Sequence, residues 1–98
     1  MIQETKVMKQ NKIILLVEDN EINQQIAVEI LEGAQLSVTV AGNGREGVDA
    51  VAKEAFDLVL MDIQMPVMGG MEATALIRET KTPEQLPIVA ITAHAMSG

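Results

Sequence analysis

The chain has 98 residues, 48% of them hydrophobic, and a formal net charge of −7. That length suits one small domain, and the apolar share is enough for a packed core. No apolar run reaches the roughly 18 residues of a membrane span, no secretory leader is visible, the acidic balance disfavours direct nucleic-acid contact, and the lack of cysteine excludes disulfides and thiolate metal sites, so a cytoplasmic location is expected.

Met1 to Asn11 carry no period and read as a tail or linker ahead of a domain running from Lys12 to Gly98. Ile13 to Val17 form a continuous, β-branched-rich apolar run, the pattern of a strand buried on both faces, and it stops abruptly at Glu18-Asp19-Asn20. Asn20 is a candidate N-cap. Ile22, Ile26 and Ile30 follow at steps of four, with Ala27 and Leu31 beside them, giving a helix with one apolar stripe. Gly33 is placed to end that helix in the left-handed conformation. Leu36, Val38 and Val40 alternate with Ser37 and Thr39 as a second strand.

Gly42-Asn43-Gly44 reads as a turn, and Asn43 with Glu46 forms a capping-box variant that opens a second helix with Val48, Val51, Ala52 and Ala55 on its apolar side. Leu58 to Met61 make a third strand that ends at Asp62. Met65 to Gly70 read as a loop because Pro66 lacks a donor and the glycines favour turns. A third helix over Met71 to Thr80, a polar connection, and a fourth apolar strand from Leu86 to Ile91, ending at Thr92, complete the pattern. Phe56 is the only aromatic residue, so the core must be aliphatic. The order β-α-β-α-β-α-β predicts a parallel sheet with right-handed crossovers and helices on both faces.

Candidate chemistry gathers at the carboxyl ends of the strands, where ligands of open α/β sheets bind. Glu18 and Asp19 follow the first strand, Asp62 the third and Thr92 the fourth. If the strand order is 2-1-3-4, the first and third strands are neighbours, and Glu18, Asp19 and Asp62 converge on one crevice. Carboxylates so placed repel one another until a proton or a cation intervenes. With no cysteine and only His94 as a nitrogen ligand, the donors are hard oxygens, which select Mg²⁺ or a similar ion. A carboxylate beside such an ion can attack phosphorus, and a hydroxyl such as that of Thr92 can hydrogen-bond a phosphoryl oxygen.

Ile14-Leu15-Leu16-Val17-Glu18-Asp19-Asn20, then Leu60 through Gly70, then Ala90-Ile91-Thr92-Ala93 resemble, in order, the signature segments of response-regulator receiver domains, in wording closest to receivers of hybrid sensor histidine kinases. The resemblance implies a flavodoxin-like, doubly wound parallel sheet of order 2-1-3-4. It implies Asp62 as phosphoacceptor, with Asp19 and Asp62 binding Mg²⁺ directly. Glu18 would act through water, and the backbone carbonyl of Gln64 would be a further ligand. Thr92 would be the switch hydroxyl. The implied donor is a phosphohistidine on a histidine kinase or a histidine phosphotransfer domain.

The family also has a fourth helix, a fifth strand with a phosphoryl-pairing lysine and an aromatic residue, and a fifth helix. The sequence reaches Gly98 without them, and Lys12, Lys53 and Lys81 are misplaced as substitutes. The expectation is impaired transfer and possible self-association through the edge of the fourth strand.

Glu21 and Asn23 are placed to tune access to the pocket, though Glu21 equally suits a solvated first helical turn. His94 reads as a solvated loop residue, and Met61, Met65, Met68 and Met71 read as gap-fillers around the site. Asp57 is expected to face solvent. Among alternatives, a haloacid-dehalogenase-type hydrolase needs two aspartates one residue apart, but Glu18 and Asp19 are adjacent and Asp62 is followed at that spacing by Gln64. No glycine-rich fingerprint of a nucleotide or flavin site follows the first strand. A non-phosphorylated receiver-like interaction module remains the principal alternative.

Overall fold

In the computed structural model, which describes residues 12–63, 65 and 68–91, the two most apolar runs become neighbouring strands at the centre of a sheet. The elements in chain order are β1 (Ile13–Val17), α1 (Glu21–Gly33), β2 (Ser37–Ala41), α2 (Gly44–Lys53), β3 (Leu58–Asp62), α3 (Gly70–Arg78) and β4 (Ile88–Ile91). The sheet is four-stranded and parallel in the order β2-β1-β3-β4, as expected for a flavodoxin-like arrangement. The expected tail of Met1 to Asn11, together with Gln64, Thr92 and His94, lies outside the described residues.

Side-chain alternation divides the sheet into two faces. Leu15, Val17, Val59 and Met61 are fully buried and pack with Val51 of α2 and with Ala73 and Ile77 of α3 in the main core, which Phe56 and Leu86 complete. Each such side chain contributes about 1.5–3 kcal/mol through removal from water. Leu16 points to the opposite face, where it shares a shallow apolar trough with Ile26, Ala27 and Ile30 of α1 and with Ile91. Helices thus cover both faces, α1 on one and α2 with α3 on the other.

Both expected N-caps form. The Asn20 side chain accepts from the Asn23 N–H at 3.0 Å, and that of Asn43 from the Glu46 N–H at 2.9 Å. The Glu46 carboxylate reaches one residue beyond the cap and accepts from the Gly42 N–H at 2.7 Å, which makes this a true variant of the capping box.

The end of α1 departs from expectation. Gly33 remains helical, and the left-handed residue is Gln35, with φ of 69°. Leu36 N–H donates to the Leu31 carbonyl at 3.1 Å and Gln35 N–H to that of Glu32 at 2.9 Å, the paired bonds of a Schellman ending. The glycine therefore lies two positions too early to relieve the strain, which costs roughly 1–2 kcal/mol at a non-glycine residue.

The isoleucine stripe of α1 forms as read, but among the described residues nothing covers it: Ile22, Ile26 and Ile30 are 67%, 53% and 67% exposed. The alternation expected in β2 is also blurred, since Val38 and Thr39 are both half-buried and Val40 is exposed, because this strand lies at the sheet's edge. Met61, Met65 and Met68 do fill gaps, whereas Met71 is exposed at the start of α3. Asp57 is exposed, yet its carboxylate accepts from the Ile13 N–H at 2.8 Å and so ties the entry of β3 to that of β1.

Candidate functional site

The parallel register of β1 and β3 pairs Val17 with Met61, so the residues that follow, Glu18 and Asp62, emerge level at the carboxyl edge of the sheet. One carboxylate oxygen from each of Glu18, Asp19 and Asp62 lies within 4.8 Å of the others. The three expected acids are thus brought together, in unequal surroundings. Glu18 and Asp62 are each 4% exposed, while Asp19 opens to solvent.

Glu18 is the most constrained of the three. Its Oε2 accepts from the Asn20 N–H at 3.1 Å and from the Asn23 side-chain amide at 3.4 Å. The Gln24 side-chain amide donates to the Glu18 backbone carbonyl at 2.6 Å, fastening the turn between β1 and α1. Burial raises the Glu18 pKa above the ordinary carboxylate range; the charges of Asp62 and Asp19 push the same way, and the hydrogen bonds from Asn20 and Asn23 oppose them. A buried carboxylate held against two others is a group whose ionisation a bound cation would favour. Three close oxygen donors of this hardness, with no nitrogen or sulfur among them, fit Mg²⁺.

The loop after β3 is held by close backbone approaches. The Gly44 N–H donates to the Met68 carbonyl at 3.2 Å, and a Cβ on Gly44 would come within 2.4 Å of that oxygen. A Cβ on Gly70 would lie 2.3 Å from the Asp62 carbonyl oxygen and 2.7 Å from the Ile63 Cα. Gly70 thus packs against the backbone of Asp62 itself and Gly44 against that of Met68, roles that reading these stretches as a loop and a turn did not reveal. Gln24 was also missed, and a lone glutamine in a first helical turn gives no signal of reaching back to a strand end.

Lys12, Lys53 and Lys81 stand away from the acids, as expected. Lys12 precedes β1, Lys53 closes α2, and Lys81 lines the apolar groove between α2 and α3 with Val48, Val51 and Ile77.

A parallel α/β sheet of order 2-1-3-4 with an acidic pocket at its carboxyl edge defines the receiver class of flavodoxin-like domains. The chain belongs to the response-regulator receiver family, whose profile, described as response regulator receiver domain, matches residues 14–98. It is 52% identical over 88 residues to hybrid signal transduction histidine kinase G of Dictyostelium discoideum, a match covering 87% of this chain and 3% of that protein. The chain thus spans a small part of the curated kinases it resembles. Among solved structures it resembles the receiver domain of sensor histidine kinase PA1611 of Pseudomonas aeruginosa, which has a magnesium ion coordinated in its active-site cleft, with 36% identity, a TM-score of 0.81, and coverage of 90% of this chain and 72% of that one. It also resembles the Saccharomyces cerevisiae receiver of Ssk1 solved with the histidine phosphotransfer protein Ypd1, with 32% identity, a TM-score of 0.73, and coverage of 85% and 63%.

Among the described residues, no helix is long and apolar enough to cross a membrane.

Proposed function

We propose that this receiver domain, residues 12–98 after a tail or linker of residues 1–11, takes a phosphoryl group from a phosphohistidine onto Asp62 in a cytoplasmic relay. The observation that carries the reading is the meeting of Glu18, Asp19 and Asp62 within 4.8 Å at the junction of β1 and β3. In the transfer, an oxygen of the Asp62 carboxylate forms a new O–P bond as the N–P bond of the phosphohistidine breaks, and the electron pair of that bond leaves with the imidazole. Asp19 and Asp62 would hold Mg²⁺ directly, Glu18 through water, and the Gln64 carbonyl would be a further ligand. The ion supplies neutralisation of charge on the transferring group. Thr92 would hydrogen-bond a phosphoryl oxygen and pass the change to a partner surface, a small differential contact that biases an existing equilibrium. The donor is a histidine kinase or a histidine phosphotransfer domain, a partner class consistent with the relatives described above.

Intact-mass spectrometry after incubation with Mg²⁺ and acetyl phosphate tests this. The expected result is a Mg²⁺-dependent phosphoryl adduct on the wild-type chain that Asp62→Asn abolishes. An adduct that persists in Asp62→Asn would reject Asp62 as acceptor and place the phosphoryl group elsewhere, and none even with a phosphorylated histidine donor would favour a non-phosphorylated interaction module.

A second reading concerns association. Among the described residues β4 pairs only with β3, and Val89 on it is 47% exposed, in register with Leu60 and Leu16 on the sheet face that carries α1 and its exposed Ile26 and Ile30. Self-association through this edge follows from unpaired backbone groups flanked by apolar side chains. Sedimentation velocity on the 98-residue chain is expected to show concentration-dependent dimers that Val89→Lys reduces. A wild-type chain that stays monomeric across the series would refute it.

A further inference from the structure

The first turn of α1 carries two side-chain amides that both turn back onto Glu18 rather than out to solvent. Asn23 donates to Glu18 Oε2 at 3.4 Å, and the Asn20 N–H meets the same oxygen at 3.1 Å. Gln24 donates to the Glu18 carbonyl at 2.6 Å. The Asn23 side chain is not needed for the helix cap, because the cap bond runs from the Asn23 backbone N–H to the Asn20 side chain. Its amide is therefore spare as far as helix formation is concerned, and it donates instead to a buried acid of the pocket.

We propose that Asn23 is a positioning residue for cation binding: with the Asn20 N–H it ties Glu18 Oε2 to the protein and so presents Oε1 to the pocket shared with Asp19 and Asp62, while Gln24 fixes the backbone beneath. The inference rests on the receiver reading above and adds to it a residue outside the acidic set. A carboxylate tied by one oxygen loses rotational freedom before the ion arrives, so less ordering remains to be done on binding. It also cannot swing to offer both oxygens or withdraw toward solvent. Groups that orient a metal's ligands in this way typically contribute about 10- to 100-fold to affinity. Asn23 acts through a long single bond to an acid that itself acts through water, so the lower end applies, about tenfold.

The test is a Mn²⁺ titration of the full chain followed by electron paramagnetic resonance, with Mg²⁺ as competitor, because the chain has no tryptophan to report binding. Asn23→Leu keeps the number and branching of heavy atoms and removes the donor, and Asn23→Ser shortens the side chain while keeping it polar. Both are expected to bind Mn²⁺ about tenfold more weakly than wild type with circular dichroism melting little changed. Glu18→Ala is expected to weaken binding as well, and adding Asn23→Leu to it is expected to weaken it no further, because the amide then has nothing to orient. A merely structural asparagine would lower stability and add its effect in full to that of Glu18→Ala. Wild-type affinity in both Asn23 variants, or additive losses in the double variant, would overturn the proposal. A wild-type chain that binds no Mn²⁺ or Mg²⁺ would overturn the cation reading of the pocket, and the inference with it.

Discussion

Gly70→Ala is expected to destabilise the chain by about 3 kcal/mol, whereas Gly69→Ser, one residue away, is expected to be neutral or slightly stabilising. The contrast follows from what each added atom meets. At Gly70 a Cβ would lie 2.3 Å from the Asp62 carbonyl oxygen, 2.7 Å from the Ile63 Cα and 2.9 Å from the Asp62 carbonyl carbon. All three are backbone atoms, so no side chain can rotate aside, and either α3 lifts or the end of β3 moves. At Gly69 the nearest atom is the Ile63 carbonyl oxygen at an ordinary 3.7 Å, and α3 has no side-chain cap there for a serine to displace. Serine can supply that cap, worth a few tenths of a kcal/mol over glycine. Since whole domains are stable by only about 5–15 kcal/mol, the Gly70 change is a large fraction of the total.

The same displacement reaches the proposed chemistry. The atoms that Gly70→Ala would push belong to Asp62 and its neighbour, so the carboxylate proposed as acceptor would shift along with its backbone. Misplacement by about 1 Å can slow a positioned reaction by about a hundredfold. Phosphoryl acceptance measured well below the melting transition is therefore expected to fall by at least tenfold in Gly70→Ala and to be unchanged in Gly69→Ser. Denaturant melts that show Gly70→Ala within about 0.5 kcal/mol of wild type would mean that the close approach relaxes at no cost.

These two glycines also mark where the sequence stops being legible. Side by side in Met68-Gly69-Gly70, they look alike, and only the approach of the β3 end separates the one that caps from the one that packs. Features encoded within a few residues were readable. The central strands announced themselves as apolar runs, and Asn20 and Asn43 capped their helices through bonds to residues three positions on. The meeting of Glu18, Asp19 and Asp62 was readable once the strand order was assumed, because register alone carries acids at the ends of adjacent strands to one place.

What failed depended on neighbours distant in sequence. Periodicity located the Ile22, Ile26 and Ile30 stripe but could not say that it would stay exposed. Gly33 promised a left-handed ending that fell instead to Gln35, because the turn into β2 sets where the helix must stop. Two adjacent acids, Glu18 and Asp19, read alike yet differ sharply in burial, since alternation along an extended chain points one inward and the next out.

That inequality gives the second large expected effect: without divalent cation, Glu18→Gln should be more stable than wild type at neutral pH, and Mg²⁺ should narrow the gap. Burial, joined by the charges of Asp62 and Asp19, raises the folded-state pKa of Glu18 above its ordinary value of 4.5. Between those two values the folded chain holds more protons at this site than the unfolded chain, so stability falls as pH rises through the window. The penalty is absent below the ordinary glutamate range and complete above the raised value. Glutamine removes it while keeping an acceptor for Asn20 and Asn23, and its amide can donate toward Asp62. Relief of one like-charge contact at about 4 Å is worth roughly 1–4 kcal/mol, according to how far water screens it.

Mg²⁺ acts on the same repulsion from the other side. Binding stabilises the folded chain by about 1.4 kcal/mol when the free ion stands tenfold above its dissociation constant. For a domain of this size that is a rise of about 6–11 °C in the melting temperature. The variant, with one carboxylate fewer, should gain less. Thermal melts across pH 4 to 8, with chelator and then with Mg²⁺, separate the contributions. With chelator, the gap between variant and wild type should close as the pH falls toward 4.5. A gap independent of pH would show that Glu18 is not the titrating group. Equal gains from Mg²⁺ in both chains would show that the Glu18 charge does not help hold the ion, leaving Asp19 and Asp62 to do so.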